Sequence, residues 1–310
     1  LFGIIQQVGF YLFNVILFMT QFGRSNGFTY EPSYFSTYLS VGAVLSLALA
    51  LFYNGKFKQR LFHYITFSVI FTSLILSTSK FYVIIILFSL IVLFYLVFIF
   101  QRLSILSNLN FKKNLLFSFM SFFSVFGISI FLLEALPNFI ASTSSVSISS
   151  KYNQVLENAG ETGIGPRLEE MKKTFQVAIK NPFIGTSLGG VAPHKALMSG
   201  VVPKSNEDVK PYEGMNVFVE IIAGLGIFGA LVLLSSWGIL SYQSWIFSFG
   251  LLKVGRYFES IVLFSMVMGF VLEFVLLFWN QNVLRFYFWN HLALLGFILG
   301  KVRDSFSNQT

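Results

Sequence analysis

FYVIIILFSLIVLFYLVFIF, residues Phe81 to Phe100, has no charged residue in 20 positions. A helix needs roughly 20 apolar residues to cross the hydrocarbon core of a bilayer, so this stretch reads as a transmembrane helix. Outward from it, seven more stretches meet the same test: about 1–22, 34–53, 61–79, 114–135, 216–240, 258–279 and 283–300. Composition agrees with the count. Apolar residues make up 55% of the chain, charged residues only 11%, and Phe occupies 40 of 310 positions, which excludes a soluble globular domain. The expected fold class is all-α: a polytopic transmembrane helix bundle with a large extracytoplasmic loop containing an amphipathic helix.

Charge sets the orientation. Lys56, Lys58 and Arg60 fall in one short loop, Arg102, Lys112 and Lys113 in another, Lys253 and Arg256 in a third, and Lys301 and Arg303 in the tail. Counting spans puts all four on one face, which the positive-inside rule makes cytoplasmic. The net charge of +8 is therefore mostly a topology signal, and no nucleic-acid partner is expected. The chain divides into helices one to five over 1–135, an extracytoplasmic loop over 136–215, and helices six to eight with a cytoplasmic tail over 216–310. Position 1 is Leu inside an apolar run, so earlier spans are expected to precede it.

The loop is the soluble-like part. Its eight Lys/Arg and seven Asp/Glu nearly balance, and its 141–150 stretch is Ser-rich. Within it, Thr162 to Asn181 reads TGIGPRLEEMKKTFQVAIKN. Gly163, Gly165 and Pro166 break the chain, and Leu168, Met171, Phe175 and Ile179 then recur at helical spacing. An amphipathic helix should begin close to Arg167 and stop at Asn181-Pro182. Its apolar face needs a cover, either lipid headgroups or the outer ends of the spans. Arginine in a first turn opposes the helix dipole, and an anion there would be met by the guanidinium and by free backbone N–H groups together.

Other polar residues gather at the outer face. Arg24 follows the first stretch and Glu31-Pro32 opens the second; a headgroup anchor or a structural ion pair would account for them equally well. Lys80 starts a span, where a lysine can snorkel, and Arg285 opens the last. Asn216 and Glu220, at i and i+4, share a helix face. A carboxylate near the outer end of a span needs a partner or a function, and Arg24, Lys80 or Arg285 would serve as the partner. His194 is the one histidine in the loop; His63 and His291 lie elsewhere, with no ligand spacing among the three. With no cysteine either, no metal site and no cofactor are expected.

Four segments together resemble the bacterial O-antigen polymerase and ligase superfamily. They are GRSNGFTYEPSYFSTYLS at 23–40, LSTSK at 76–80, PRLEEMKKTFQVAIKNPFIGTSLGG at 166–190 and NVFVEIIAGLGIFGALVLL at 216–234. The resemblance implies a membrane glycosyltransferase acting on polyprenyl-diphosphate-linked glycans at the outer face of the bacterial cytoplasmic membrane. Its substrates would be lipid-linked oligosaccharides within membrane lipid, and a chain-length regulator protein is a candidate partner. Two departures narrow it. Lys80 stands where the family more often has Arg, and Met215 precedes Asn216 where ligases typically carry a His-Asn pair. A polymerase of O-antigen, capsule or exopolysaccharide repeat units is thus favoured over a ligase that transfers the glycan to lipid A core.

The chemistry so implied needs positive charge where a diphosphate leaves, and alignment of the attacking hydroxyl. Arg167 and Arg24 are the first candidates for that charge, with Lys80, Asn216 and Arg285 as substrate-binding groups. Glu220, His194 and Glu31 are candidate bases. The outer face offers no clustered carboxylates of the Asp-x-Asp kind, so metal-independent catalysis is expected. A transporter or flippase of lipid-linked sugars would also need spans and outer arginines, but its polar groups should reach the inner face as well.

Overall fold

In lipid, backbone N–H and C=O groups have no water to bond, so long apolar runs close their hydrogen bonds internally as helices. A computed structural model of the chain describes Gln6, 32–53, 55–77, 81–102, isolated positions between 113 and 127, 164–209, Tyr212, 216–278 and 286–307. The described residues form helices joined by turns and irregular segments, with no strand among them. In chain order the helices are α1 (Pro32–Phe52), α2 (Phe57–Leu76), α3 (Phe81–Arg102), α4 (Ile164–Lys180), α5 (Val191–Met198), α6 (Asn206–Val209), α7 (Val217–Lys253), α8 (Tyr257–Leu276) and α9 (Phe286–Ser307). Four contain stretches long and apolar enough to cross a membrane: Phe35–Phe52, Val83–Phe100, Val217–Lys253 and Tyr257–Leu276. The chain is an integral membrane protein with a polytopic helical architecture. The expected spans at 1–22 and 114–135 lie outside the described residues, apart from Gln6 in the first and isolated helical positions in the second.

The chain forms two compact units, Leu1–Ala159 with Phe247–Glu273, and Gly160–Ile246 with Phe274–Thr310. In the first, α1 packs against α2 and α3. Small residues allow close approach. A Cβ on Gly269 of α8 would stand 2.8 Å from the Val41 Cα of α1, the kind of contact that van der Waals packing between membrane helices favours. Ser36 and Ser77 hydroxyls meet at 2.7 Å between α1 and the residue just after α2. At the other end, Phe52 and Phe100 pack edge to face with centroids 4.8 Å apart. Arg256 meets Glu259 at 3.1 Å where α8 begins.

The second unit holds the loop helices. α4 starts at Ile164, slightly before the sequence reading, because Pro166 falls in the first turn, where its missing N–H costs nothing. It ends at Lys180, ahead of Asn181-Pro182 as expected. One face of α4, with Val177 and Ala178, packs on Val191 of α5 and on Ala223 and Ile222 of α7. α7 departs from a simple span. It runs to Lys253 and is broken at Gly226, whose φ of 66° and ψ of 178° are not helical.

Candidate functional site

The break in α7 is filled by the chain that follows α4. From Asn181 the backbone turns through Gly185, which has φ 73°, and lies along residues 223–227. Thr186 donates its N–H to the Ala223 carbonyl at 2.9 Å, Ser187 to Gly224 at 2.8 Å, and Ile227 donates back to Pro182 at 2.8 Å. The Thr186 hydroxyl also donates to the Ala223 carbonyl, at 3.3 Å. These bonds satisfy groups that the missing helical turn would otherwise leave unpaired. Glycine is required on both sides. A Cβ on Gly226 would overlap the Phe183 carbonyl, one on Gly185 would overlap the Gly224 carbonyl, and one on Gly224 would come within 3.0 Å of Leu188. The NPFIGTS segment and the AGLG segment thus form one clasp.

Before the clasp, the 216–225 stretch carries Asn216 and Glu220. Asn216 serves as the N-cap. Its Oδ1 accepts from the N–H groups of Phe218 and Val219 at 3.0 and 3.1 Å. Its Nδ2 donates to the Phe278 carbonyl at 3.0 Å. The Val217 N–H donates to the Leu277 carbonyl at 3.2 Å, so the start of α7 closes the C-terminal end of α8. Glu220, one turn further on, is buried, as the shared face of Asn216 and Glu220 anticipated.

Behind α4 lies an ion pair that sequence reading missed. Lys195 of α5 is 1% exposed, and its Nζ lies 2.7 Å from Glu170 Oε2 of α4. Lys173 meets the other oxygen of Glu170 at 2.8 Å. Burial pushes the Glu170 carboxyl upward, but hydrogen bonds and charge from Lys173 and Lys195 outweigh it, and its pKa falls below the ordinary carboxylate value. Lys173 is raised in turn, chiefly by its bond to Glu170. The Glu170–Lys173 half was legible as an i, i+3 pair. Lys195, on another helix, gave no signal in one sequence.

The other expected residues divide clearly. Arg167 lies in the first turns of α4, three residues ahead of Glu170; of its side chain nothing is described. His194 is exposed on α5, with Nδ1 2.8 Å from the Gly190 carbonyl. Because a carbonyl only accepts, that contact puts the proton of the neutral ring on Nδ1 and leaves the Nε2 lone pair available. Arg24, Glu31, Lys80 and Arg285 lie outside the described residues. The structure therefore brings Asn216 and Glu220 together and sets α4 and α5 against the same stretch of α7. Among the described residues no His, Asp and Glu group has the arrangement to hold a metal ion.

A family model described as O-antigen ligase matches residues 35–234. The chain belongs to the O-antigen ligase family. The matched region includes the helix that starts near Arg167, both halves of the clasp, and Asn216 with Glu220; α8 and α9 lie beyond it. As a member of this family, within the O-antigen polymerase and ligase superfamily, the protein is a glycosyltransferase-like membrane enzyme of O-antigen assembly. Lipid-linked glycans are its substrate class. Compared directly with curated proteins, the sequence finds no match.

Proposed function

We propose that this O-antigen ligase family member is a polymerase, joining polyprenyl-diphosphate-linked repeat units at the outer face of the bacterial cytoplasmic membrane. The observation that carries the choice is Met215. Asn216 is preceded by a residue that cannot exchange a proton, where the ligase pattern has a histidine. Repeat units of O-antigen, capsule or exopolysaccharide fit the proposal equally, and a chain-length regulator is a candidate partner. The ligase reading, transfer to an acceptor such as lipid A core, stays as the second one because the matching model is itself described as a ligase.

In the proposed reaction a hydroxyl oxygen of one lipid-linked unit attacks the anomeric carbon of another glycan. A new C–O bond forms as the bond to the diphosphate breaks, and the polyprenyl diphosphate leaves with the bonding pair. Arg167, at the start of α4, and Arg24 would neutralise that developing charge through bidentate hydrogen bonds, with Lys80 and Arg285 assisting. The hydroxyl proton would pass to Glu220, His194 or Glu31. Glu220 is buried one turn into α7, and His194 offers an accessible Nε2. Asn216, by capping α7, would fix the direction in which Glu220 leaves the helix. Diphosphate is a good leaving group, and side-chain cations suffice in this proposal; loss of purified activity on chelation, with return on adding one cation, would argue against it.

The test is reconstitution of the protein with lipid-linked repeat units, with and without a lipid A core acceptor, comparing wild type and Arg167→Lys. A ladder of longer lipid-linked glycans without core, greatly weakened in Arg167→Lys, is the expected result, since a lysine cannot replace a guanidinium fork. Product formed only with core would make the protein a ligase.

A further inference from the structure

The apolar stripe of α4 does not face the protein. Val177 and Ala178 are buried against α5 and α7 and Thr174 is buried beside them in sequence, whereas Leu168, Phe175 and Ile179 point outward, Phe175 with 54% of its surface exposed. Beyond the end of α4, past Lys180 and Asn181, Phe183 and Ile184 are also exposed, the latter to 86%. Phe183 stacks on Phe228 of α7 with centroids 6.0 Å apart. Phe228, Ile227, Leu231 and Val232 are all exposed on a segment apolar enough to cross the membrane.

Length gives the depth of this surface. The 227–246 part of α7 is about 30 Å long at 1.5 Å per residue, which matches the roughly 30 Å hydrocarbon core of a bilayer. With the far end of that stretch toward the cytoplasm, the clasp and the loop tip fall at the outer headgroup level. Aromatic side chains are favoured there, and amphipathic helices lie along it.

We propose that α4 and the 182–184 tip lie in the outer interface of the bilayer, with Leu168, Phe175, Ile179, Phe183 and Ile184 covered by lipid. Lys172, on the same outward side of α4, reaches for lipid phosphates. The occupant is lipid because Phe183, at the tip beyond α4, stacks on Phe228 in the exposed apolar surface of α7. This placement holds for a polymerase or a ligase alike, and it sets the start of α4, with Arg167, at the height of lipid-borne phosphate.

The native chain has no cysteine, so single spin labels are straightforward. Nitroxides at Phe175→Cys, Ile179→Cys and Ile184→Cys, in protein reconstituted into phosphatidylcholine and phosphatidylglycerol vesicles without substrate, should be relaxed more by oxygen than by a water-soluble nickel complex. A label at exposed Ser205→Cys should show the reverse. Equal nickel access at all four positions would overturn the proposal. So would oxygen preference arising only after a polyprenyl-linked glycan is added, which would make the stripe a substrate cover. Unmodified protein supplies a second reading: a diazirine phospholipid should crosslink within 168–184, and crosslinks confined to other helices would count against lipid seating.

Discussion

Lys195 is a cation that the fold encloses completely, and its partner Glu170 is shared with Lys173. Removing one member of a buried pair leaves the other desolvated, typically at 3–5 kcal/mol. Glu170 is partly exposed and keeps Lys173, so Lys195→Met is expected to cost about 2 kcal/mol, below that range. The double variant Lys195→Met with Glu170→Gln should recover much of the loss, and a double-mutant cycle of thermal unfolding in detergent measures the coupling. The sign of the pH dependence follows from the lowered Glu170 pKa. A depressed carboxylate contributes stability that is complete above its unfolded value and is lost as pH falls through the folded value. The Tm gap between wild type and Glu170→Gln should therefore be widest near neutrality, begin to narrow near the unperturbed carboxylate pKa of about 4.3, and close only at more acid pH, as pH falls through the lowered folded value. A gap that stays constant from neutral to acid would show that the carboxylate charge does not hold α4 to α5.

At the scale of elements, the clasp makes α4, its following loop and the first part of α7 a single construction. Gly226 sits where φ and ψ admit essentially only glycine, a conformation costing other residues about 1–3 kcal/mol before any clash, and a Cβ there overlaps Phe183. Gly226→Ala should lower the unfolding midpoint, open the 182–190 segment to protease and abolish polymer formation. Gly238→Ala, in the same helix but with nothing within 4 Å of its Cβ, should change none of the three. What the sequence made legible here follows physical lines. The apolar runs and the helix after Pro166 could be read because lipid and local periodicity leave few alternatives. The break at Gly226 could not, because the partners that satisfy it lie 37 to 45 residues away in the chain, from Thr186–Ala223 to Pro182–Ile227, and only tertiary contact pairs them. Lys195 stayed hidden for the same reason, while Asn216 and Glu220 were found because helical spacing alone relates them. Arg24, Glu31, Lys80 and Arg285, by contrast, remain sequence arguments outside the described residues.

For the whole molecule, the decisive quantity is which side of the membrane each end of a helix occupies, because a glycosyltransferase using lipid-linked units at the outer face needs its 164–209 segment there. The charge pattern predicts an orientation through a simple asymmetry. Lys56, Lys58 and Arg60 flank the start of α2, Lys253 and Arg256 bracket the α7–α8 turn, and Lys301 and Arg303 lie in the last turns of α9. Short basic segments resist translocation, whereas a long, nearly neutral loop crosses largely regardless of its charge. Lys58→Cys and Ser205→Cys separate the two sides, both positions being exposed. In intact spheroplasts a membrane-impermeant maleimide should label Ser205→Cys and leave Lys58→Cys unmodified until the membrane is permeabilised. The opposite pattern would invert the molecule, put α4 and Arg167 in the cytoplasm, and remove the outer-face polymerase reading together with the lipid seating of α4 in the outer leaflet. Labelling of both sites in intact spheroplasts would mean that the α2 loop is also translocated, and the positive-inside assignment would fail at the loop on which it most depends.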